Sequence, residues 1–569
     1  MSYIDWIVLV VTLLFIALYG MWKSRGTKNI SGYLLADKKL PWYHVGLSVM
    51  ATQASAITFL SAPAQGFSDG LRFVQFYFGL PLAMVVLCIT FIPIFQRLNV
   101  YTAYEYLEER FDNKTRTLTA LLFLLQRGVS TGITIYAPAI ILSTILNIHV
   151  NYTVFIMGGI VIIYTVYGGT KAVSHTQMLQ MIIIFSGLFI AAYKVVEMLP
   201  AHVGFTDALH ISGKMGKLNA INTDFDWDDR YNIWSGIIGG FFLQLSYFGT
   251  DQSQVGRYLT GKSITQSRLG LVMNGLVKIP MQFFILLIGT LVFAFYQYHT
   301  PPIFFNKVQV NSVQNSQYKD SFNILENQYI QIHEERQQLV NILVTAVDEN
   351  NQLLVDEMRA QLIHSDTTAA NIRDSAIKFI AKNNPAGNTS DSNYIFLRFV
   401  TDYFPVGLIG LLTAIIFLAA MGSTASGLNS LASTTIVDIQ KRFFAKNPTE
   451  KQDLISSRWA TVAWGGFCII VALYAGKMGN LIEAVNILGS LFYGTILGIF
   501  LVAFYMKNIG GTAVFIAAII AEIFVVMAWW TDLTAFLWLN VIGCVLVMGF
   551  AWVVQQLMPT ERINQHNDL

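Results

Sequence analysis

The sequence predicts an all-α membrane protein with about 13 transmembrane helices. Hydrophobic residues make up 54% of the 569 residues and charged residues only 12%, and the mean hydropathy is +0.52. A soluble chain of this length could not bury so much apolar surface, so we expect a polytopic protein in the lipid bilayer. The net charge of +2 gives no reason to expect a nucleic-acid partner.

Apolar runs of roughly 20 residues, the length that a helix needs to cross a bilayer, recur along the whole chain. We interpret them as one peripheral helix, ten core helices and two further peripheral helices. In chain order, the runs lie near residues 4–22, 42–67, 74–96, 117–146, 152–168, 176–197, 232–256, 270–298, 404–438, 457–475, 482–506, 511–531 and 534–556.

Lysine and arginine residues concentrate in the loops that follow the first, third, seventh and ninth runs. The positive-inside rule therefore predicts a multi-pass protein of the cell membrane with its N-terminus outside and its C-terminus in the cytoplasm. In this topology, five core spans are followed by five spans of opposite orientation. We therefore expect an inverted five-plus-five repeat, an arrangement typical of secondary transporters.

One segment, 301–403, is polar and charged instead of apolar. Apolar residues recur there at a spacing of three to four, which predicts two amphipathic helices within 321–382 on the extracytoplasmic face. Two interpretations stay open: a solvated insertion, and a lid or partner-binding element. The expected regions are 1–40 (peripheral helix and cytoplasmic loop), 41–300 (first core repeat and first two helices of the second), 301–403 (helical insertion), 404–506 (rest of the second repeat) and 507–569 (two peripheral helices and a short cytoplasmic tail).

Two apolar runs carry polar residues in their middle. The run at 412–439 contains Gly422, Ser423 and Asn429, which suit either close helix packing or a cation site made of hydroxyls and freed backbone carbonyls. The run at 41–67 is interrupted by Thr52, Gln53, Ser55, Thr58, Pro63 and Gly66. We expect a broken first core helix there, because a break at membrane depth is tolerated only beside a cavity or inside protein. The alternative is an unbroken Ser/Thr-rich helix packed on its neighbours.

Six motifs in order along the chain resemble those of the sodium/solute symporter family, which has the leucine-transporter fold. They are Ser55-Ala56-Ile57-Thr58-Phe59; Tyr104-Glu105-Tyr106-Leu107-Glu108 with Arg110-Phe111; Tyr136-Ala137-Pro138-Ala139; Tyr167-Gly168-Gly169 with Lys171-Ala172-Val173; Asp251-Gln252 with Arg257-Tyr258-Leu259; and Ser423-Thr424-Ala425-Ser426 with Asn429. The resemblance covers nearly all the chain except about 302–400. It is closer to the monocarboxylate, iodide and vitamin branch than to the hexose branch.

This resemblance implies a sodium-coupled secondary active symporter that imports a small organic solute by alternating access, with carboxylates among the candidate solutes. It implies that sodium is the coupled ion and that the chain is not an enzyme. The expected partners are therefore sodium, a small-molecule substrate and the lipid bilayer. Sugar or other neutral-solute transport is the alternative within the family, and a membrane sensor is the alternative outside it. A short cytoplasmic tail argues against the sensor.

The family's sodium ligands match Ala51, Ala54, Ala419, Gly422 and Ser423. Carbonyl and hydroxyl oxygens suit a hard cation and do not suit zinc or copper. Gly422 replaces a residue that usually supplies a hydroxyl, so water or Thr424 compensates, or the ion is held more weakly. Gln177 stands where some members have an aspartate for a second sodium, and Ala425 stands where they have a hydroxyl. We therefore expect one sodium per cycle, because a second cation would have little to offset its desolvation.

Positions that bind sugar in the hexose branch match Gln53, Thr58, Tyr77, Leu80, Gln244, Lys278 and Asn486. Leu80 cannot hydrogen-bond a sugar hydroxyl, which argues against hexose transport. Tyr247 matches the aromatic residue that closes the inner side of the family's site. Lys278 has a second interpretation, in which its side chain extends to the cytoplasmic surface.

Arg127 departs from the family pattern. It lies deep inside a predicted span, where its charge is costly. Ser130, Thr131 and Thr134 share its helical face, so this polar stripe should point into the helix bundle. Two roles stay open for Arg127, substrate contact and a structural ion pair with an interior acid. Glu522 is the candidate acid in the second case.

Overall fold

The computed structural model describes residues 1–24, 38–98, 100–201, 203–385, 389–444 and 449–558. Within these ranges the chain is helical throughout, apart from loops and one isolated bridge between Leu40 and Gly261. Ten of the described segments are long and apolar enough to cross a membrane: 3–20, 56–98, 113–146, 173–197, 264–298, 408–443, 451–475, 481–505, 511–530 and 536–557. The all-helical, multi-pass class is therefore confirmed. The tail at 559–569 and the basic residues Arg25, Lys28 and Lys446 lie outside the described residues.

The helices of the first half are named in chain order. They are α1 (Tyr3–Ser24), α2 (Trp42–Gln53), α3 (Ala56–Asp69), α4 (Leu80–Val86), α5 (Ile92–Leu98), α6 (Glu105–Arg110), α7 (Asn113–Leu146), α8 (Val150–Glu197), α9 (Phe205–Lys214), α10 (Gly240–Thr250), α11 (Gln252–Tyr258) and α12 (Ile264–Tyr298).

The second half begins with the polar segment and returns to long apolar helices. Its helices are α13 (Lys307–Gln314), α14 (Lys319–Asp348), α15 (Gln352–Asn383), α16 (Ile395–Tyr403), α17 (Leu408–Thr434), α18 (Lys441–Phe443), α19 (Glu450–Ala475), α20 (Leu481–Tyr505), α21 (Gly511–Trp530) and α22 (Phe536–Leu557).

The run at 41–67 is broken between α2 and α3, as the sequence predicts. The backbone of Ala54 has ψ 78° and that of Ser55 has ψ 174°, so neither residue continues the helix. A second break, which the sequence analysis did not predict, separates α10 from α11 at Asp251, where ψ is 117°. The Asp251 carboxylate caps α11 by accepting a hydrogen bond from the Ser253 amide at 2.8 Å. Two discontinuous helices therefore lie within the bundle.

Helix α8 is 48 residues long and covers two of the predicted spans, 152–168 and 176–197. The hydroxyls of Tyr164 and Thr176 lie 2.9 Å apart, although twelve residues of straight helix would separate them by about 18 Å. The chain therefore bends sharply between the apolar segments Val150–Val166 and Val173–Glu197, as two separate spans would require. The side chains of 167–172, which include the motif at Tyr167-Gly168-Gly169, lie outside the described part of the structure.

Helices α3 and α12 pack with their backbones in contact. A Cβ atom added to Gly66 would lie 2.3 Å from the carbonyl oxygen of Leu286, and one added to Gly289 would lie 2.0 Å from that of Pro63. Only glycine fits at these two positions. This is the close approach that small residues allow between membrane helices, and it holds the second half of the broken helix against the bundle.

Helices α14 and α15 form the pair of amphipathic helices that the sequence predicts within the polar segment. One end of their apolar seam, around Phe322 and Ala376, packs with Ile303 and Phe304. The other end, around Leu343, packs on Ile211 of α9. Arg336 of α14 donates a 2.8 Å hydrogen bond to Gln297 of α12. The helix pair therefore covers the loops at one end of the bundle.

We predict that replacing 319–383 with a short glycine-serine linker leaves a folded protein. The two ends are close in space, since Tyr318 and Phe379 have ring centroids 5.8 Å apart, and the loop-closure cost grows slowly with length. The deletion should lower the unfolding temperature, because apolar side chains such as Ile211 lose their cover. Size-exclusion chromatography and thermal unfolding in detergent check this outcome. A folded deletion variant that has lost all of the solute uptake implied by the family resemblance would show instead that α14 and α15 act as a lid.

Candidate functional site

A cavity lined by many polar side chains lies among α2, α3, α7, α10, α17 and α20. The seven residues predicted to contact substrate come from five of these helices and from the segment that precedes α4. All seven line this cavity: Gln53, Thr58, Tyr77, Arg127, Gln244, Tyr247 and Asn486. The predicted stripe on α7 lines it as well, through Ser130, Thr131 and Thr134. Residues that are distant in sequence therefore converge on one site beside the first helix break.

Two of the matched positions do not line this cavity. Leu80 is buried at the start of α4, and Lys278 is buried inside α12. The Nζ atom of Lys278 has no hydrogen-bond partner in the described residues and lies 5.8 Å from the ring centroid of Tyr77. The interpretation in which Lys278 extends to the surface is therefore wrong, because the side chain is packed under the cavity wall.

Several amide groups on the cavity wall have buried polar atoms without a hydrogen-bond partner in the described part of the chain. They are Oε1 of Gln53, Oε1 of Gln126, and both Oε1 and Nε2 of Gln244. An unsatisfied buried donor or acceptor costs about 1–3 kcal/mol. Native proteins rarely leave several such atoms together, so the cavity is chemically suited to a polar solute that bonds to them.

Arg127 forms a buried ion pair with Asp251, the residue at the break between α10 and α11. Tyr493 of α20 donates a 2.7 Å hydrogen bond to the same carboxylate, and the Arg127 guanidinium lies 5.5 Å from the ring centroid of Tyr247. The sequence analysis named Glu522 as the candidate acid, and this was wrong. Helix periodicity showed that Arg127 points inward but not which of the distant acids faces it.

Arg127 keeps one donor for other partners. Its Nε atom is buried without a hydrogen-bond partner among the described residues, while Asp251 occupies the other side of the guanidinium. A solute in the cavity therefore meets an arginine whose charge is already neutralised and whose hydrogen-bonding capacity is not used up. Substrate contact and a structural ion pair are compatible in this geometry.

The break at Ala54 frees the carbonyls that match the family's first two sodium ligands. In a continuous helix the amides of Ser55 and Thr58 would bond to the carbonyls of Ala51 and Ala54. Here the Ser55 amide bonds to the Gln53 carbonyl and the Thr58 amide bonds to the Ser55 carbonyl, both at 3.0 Å. The carbonyl groups of Ala51 and Ala54 are therefore left without these helical partners.

Ala419, Gly422 and Ser423 lie on α17, which packs against both halves of the broken helix. The Ser423 hydroxyl donates to the Ala419 carbonyl at 2.8 Å and faces the central cavity. A Cβ atom on Gly422 would lie 2.6 Å from Oε1 of Gln180, so that amide fills the space of the missing side chain. The hydroxyl of Thr424, named as a substitute ligand, is buried without a hydrogen-bond partner in the ranges that the structure describes.

Gln177 of α8 connects the broken helix to α17. Its Nε2 atom lies 3.0 Å from the Ser426 hydroxyl and 3.2 Å from both the Thr52 hydroxyl and the Gly422 carbonyl. Its Oε1 atom accepts a 2.6 Å hydrogen bond from Ser48. A neutral amide that donates hydrogen bonds therefore occupies the place where a carboxylate would attract a cation.

Discontinuous membrane helices that meet at a central cavity are typical of secondary transporters. The chain belongs to the sodium:solute symporter family, whose model matches residues 33–318 and 376–521. The unmatched stretch between them is shorter than the predicted 302–400 and lies within α14 and α15. The family predicted from the motifs is confirmed, and with it the prediction that the chain is a transporter and not an enzyme.

Individual relatives are more distant. A sodium-dependent multivitamin transporter of Oryctolagus cuniculus is 26% identical over 88% of this chain, and the match spans 66% of the relative's length. The sodium/sialic acid symporter NanT of Aliivibrio fischeri is 26% identical over 93% of this chain and 88% of its own. A solved substrate-bound, outward-open structure of a Na⁺-coupled sialic acid symporter has a TM-score of 0.75 at 22% identity, covering 98% of this chain and 99% of that one. The two proteins therefore share a fold.

We predict that Arg127 and Asp251 are energetically coupled. Arg127→Gln and Asp251→Asn should each lower stability by about 3–5 kcal/mol, because each leaves one buried charge unpaired. The double variant should lose much less than the sum of the two. Thermal or denaturant unfolding in detergent measures this coupling, and Arg230→Gln, which breaks the exposed pair of Arg230 with Glu483, is the control. If the losses of stability from the two substitutions were additive, the predicted coupling between Arg127 and Asp251 would be contradicted.

Proposed function

We propose that this protein is a sodium-coupled symporter that imports a small organic solute by alternating access. The observation that carries the proposal is the convergence of all seven predicted substrate residues on one cavity whose wall has unsatisfied amide groups. Family membership and relatives named as sodium-dependent transporters support the coupling to sodium. Carboxylates are the leading solute class, since one relative is named for an acid. Arg127 offers a free Nε donor for such a group.

The proposed sodium site lies between α2 and α17. The carbonyl oxygens of Ala51, Ala54 and Ala419 and the Ser423 hydroxyl are its ligands, with Gly422 at the fifth position. Oxygen-only ligands suit a hard cation. The hydrogen bonds freed by the helix break and the contact of Thr52 with Ser426 at 3.3 Å support this placement, because they bring backbone oxygens of both helices together.

Sodium at this position would hold the broken helix against α17 and so shape the wall that carries Gln53 and Thr58. At the other end of the cavity, the Tyr247 hydroxyl accepts a 2.6 Å hydrogen bond from Gln254 of α11. We assign Tyr247 as the inner barrier that must move for the solute to leave. Loss of sodium would loosen α2, and the barrier at Tyr247 would then open. Sodium release and the opening of this barrier would therefore be linked through the cavity between them.

The orientation follows from the positive-inside rule, with the N-terminus outside, the C-terminus cytoplasmic, and α14 and α15 extracytoplasmic. We propose the inverted five-plus-five repeat for the core, within about 13 transmembrane helices. The two discontinuous helices support the repeat, because α2–α3 and α10–α11 occupy corresponding positions in the two halves. A neutral solute such as a sugar is the second candidate cargo. The neutral Arg127–Asp251 pair favours it, since this pair attracts no particular charge.

We predict that Ser423→Ala raises the sodium concentration for half-maximal uptake by about tenfold, the effect of losing roughly 1.4 kcal/mol of ligand energy. The amount of folded protein should hardly change. Thr413→Val is the matched control, because Thr413 also lies on α17 and its hydroxyl donates the same kind of bond to the carbonyl four residues earlier. Sodium-dependent uptake into proteoliposomes measures the effect. An unchanged sodium dependence in Ser423→Ala would reject the assignment.

We further predict one sodium ion per transport cycle, because Gln177 presents an amide donor where a second cation would need a carboxylate. A monovalent carboxylate would then make transport electroneutral, so it would gain nothing from the roughly 2.3 kcal/mol per charge that 100 mV supplies. A neutral solute would make it electrogenic. Parallel measurements of current and tracer flux in one proteoliposome preparation decide between these cases. A sodium-to-solute ratio of two rejects the stoichiometry.

A further inference from the structure

A second, small and partly open cavity lies between α11 and α17. Every residue on its wall is polar or glycine. Gln252, Ser253 and Arg257 come from α11, and Ser426, Asn429 and Ser430 come from α17. None of these residues was among the predicted substrate or sodium ligands. An all-polar cavity inside a membrane protein calls for a chemical explanation.

Arg257 carries a buried positive charge without an acidic partner. Its side chain is 3% exposed, and its hydrogen bond to the Ser174 hydroxyl is long, at 3.3 Å. No carboxylate lies within 4 Å of it in the described residues, whereas Arg116 is paired with Asp438 and Arg127 with Asp251. A buried charge without a partner costs several kcal/mol of solvation free energy, so its retention calls for an explanation.

Asn429 supplies a second unsatisfied group in the same cavity. The residue is 4% exposed, and neither its Oδ1 nor its Nδ2 atom has a hydrogen-bond partner among the residues described. The serine hydroxyls around it donate to backbone carbonyls of α17, as Ser430 does to Gly427 at 2.7 Å. The unused donors in this cavity are therefore those of Arg257 and Asn429.

The position of this cavity connects it to the proposed transport route. Ser423 lines the central cavity and Ser430 lines the second one, about 10 Å further along α17. Tyr247 lines the central cavity and accepts a hydrogen bond from Gln254, which is on the same short helix as Arg257. A solute that leaves the central cavity past Tyr247 therefore enters the neighbourhood of Arg257 and Asn429.

We propose that this second cavity is a transient binding site for the carboxylate group of the transported solute, with Arg257 and Asn429 as its ligands. A guanidinium binds a carboxylate through two parallel hydrogen bonds, and the Asn429 amide adds a third donor. Asp251 neutralises the positive charge of Arg127. The positive charge of Arg257 has no acidic partner among the described residues, so it is available to a carboxylate. The proposal rests on the symporter function and narrows its solute class to carboxylates. A free inorganic anion such as chloride shares part of this chemistry, so the test separates the two.

The test uses purified full-length protein at constant sodium concentration and measures thermal stability as acetate or chloride is added. Acetate is the probe because it is a small monovalent carboxylate. Acetate should raise the unfolding temperature of the wild type. Arg257→Lys should need about tenfold more acetate for the same rise, because lysine lacks the bidentate geometry of arginine. The unfolding temperature of Arg257→Gln should not respond to acetate. Chloride should have no effect at equal concentration. Arg230→Gln, at an exposed site, should behave like the wild type.

A second readout separates binding from structure. If Arg257 is unpaired in the resting protein, Arg257→Gln without acetate should be at least as stable as the wild type, because a buried charge is removed. A clear destabilisation would mean that Arg257 has a structural role and would overturn the proposal, as would an equal response to chloride or no acetate response in the wild type. Should Arg257→Gln fail to express, Asn429→Leu must still weaken the acetate response. This assay needs no transport, so its failure is distinguishable from a failure of sodium coupling, which Ser423→Ala tests.

Discussion

The break in the first core helix imposes the constraint on which the rest of the site depends. In a bilayer, every backbone carbonyl and amide must bond to protein, water in a cavity or a bound ion, since lipid offers no partner. Between α2 and α3, the amides of Ser55 and Thr58 bond to carbonyls other than their helical partners. The freed oxygens must then face protein or cargo. Helix α17, with its small and hydroxyl residues, is packed against this break and shields it from lipid.

The surroundings of the break show how a neutral network can replace charged ligands. Gln177 joins Ser48 and Thr52 on α2 to Gly422 and Ser426 on α17 by hydrogen bonds of 2.6–3.2 Å. These bonds hold the two helices together without a carboxylate. The sodium site proposed between α2 and α17 lies in this same region and has no charged ligand.

Three arginines, Arg116, Arg127 and Arg257, have different electrostatic roles. Arg116 is held by Asp438 and Glu108 at one end of α7, which connects α6, α7 and the end of α17. Arg127, on the wall of the central cavity, is neutralised by direct contact with Asp251, so the second helix break contributes an acid as well as a change of direction. Arg257 has no such acid in the part of the chain that the structure describes. Because a buried charge without a partner is costly, the difference between these arginines is itself informative about function.

The sequence by itself determined the membrane class, the position of the first helix break and the pair of amphipathic helices in the polar segment. These features depend on local composition and periodicity, which the physics of the bilayer converts directly into structure. The inward direction of Arg127, Ser130, Thr131 and Thr134 followed from helical spacing alone. The motifs of the family also selected residues that the fold brings together from helices far apart in the chain.

Only the tertiary structure decided which groups face one another. Arg127 and Asp251 are 124 positions apart, and no periodicity in either helix indicates their pairing. The same limit explains why Glu522 was a wrong candidate, why the burial of Lys278 was missed, and why the cavity at Arg257 and Asn429 was not foreseen. Helical periodicity determines which side of a helix a residue lies on. Which residue of another helix it contacts depends on how ten or more helices pack. That packing is set by long-range contacts such as those of Gly66 and Gly289.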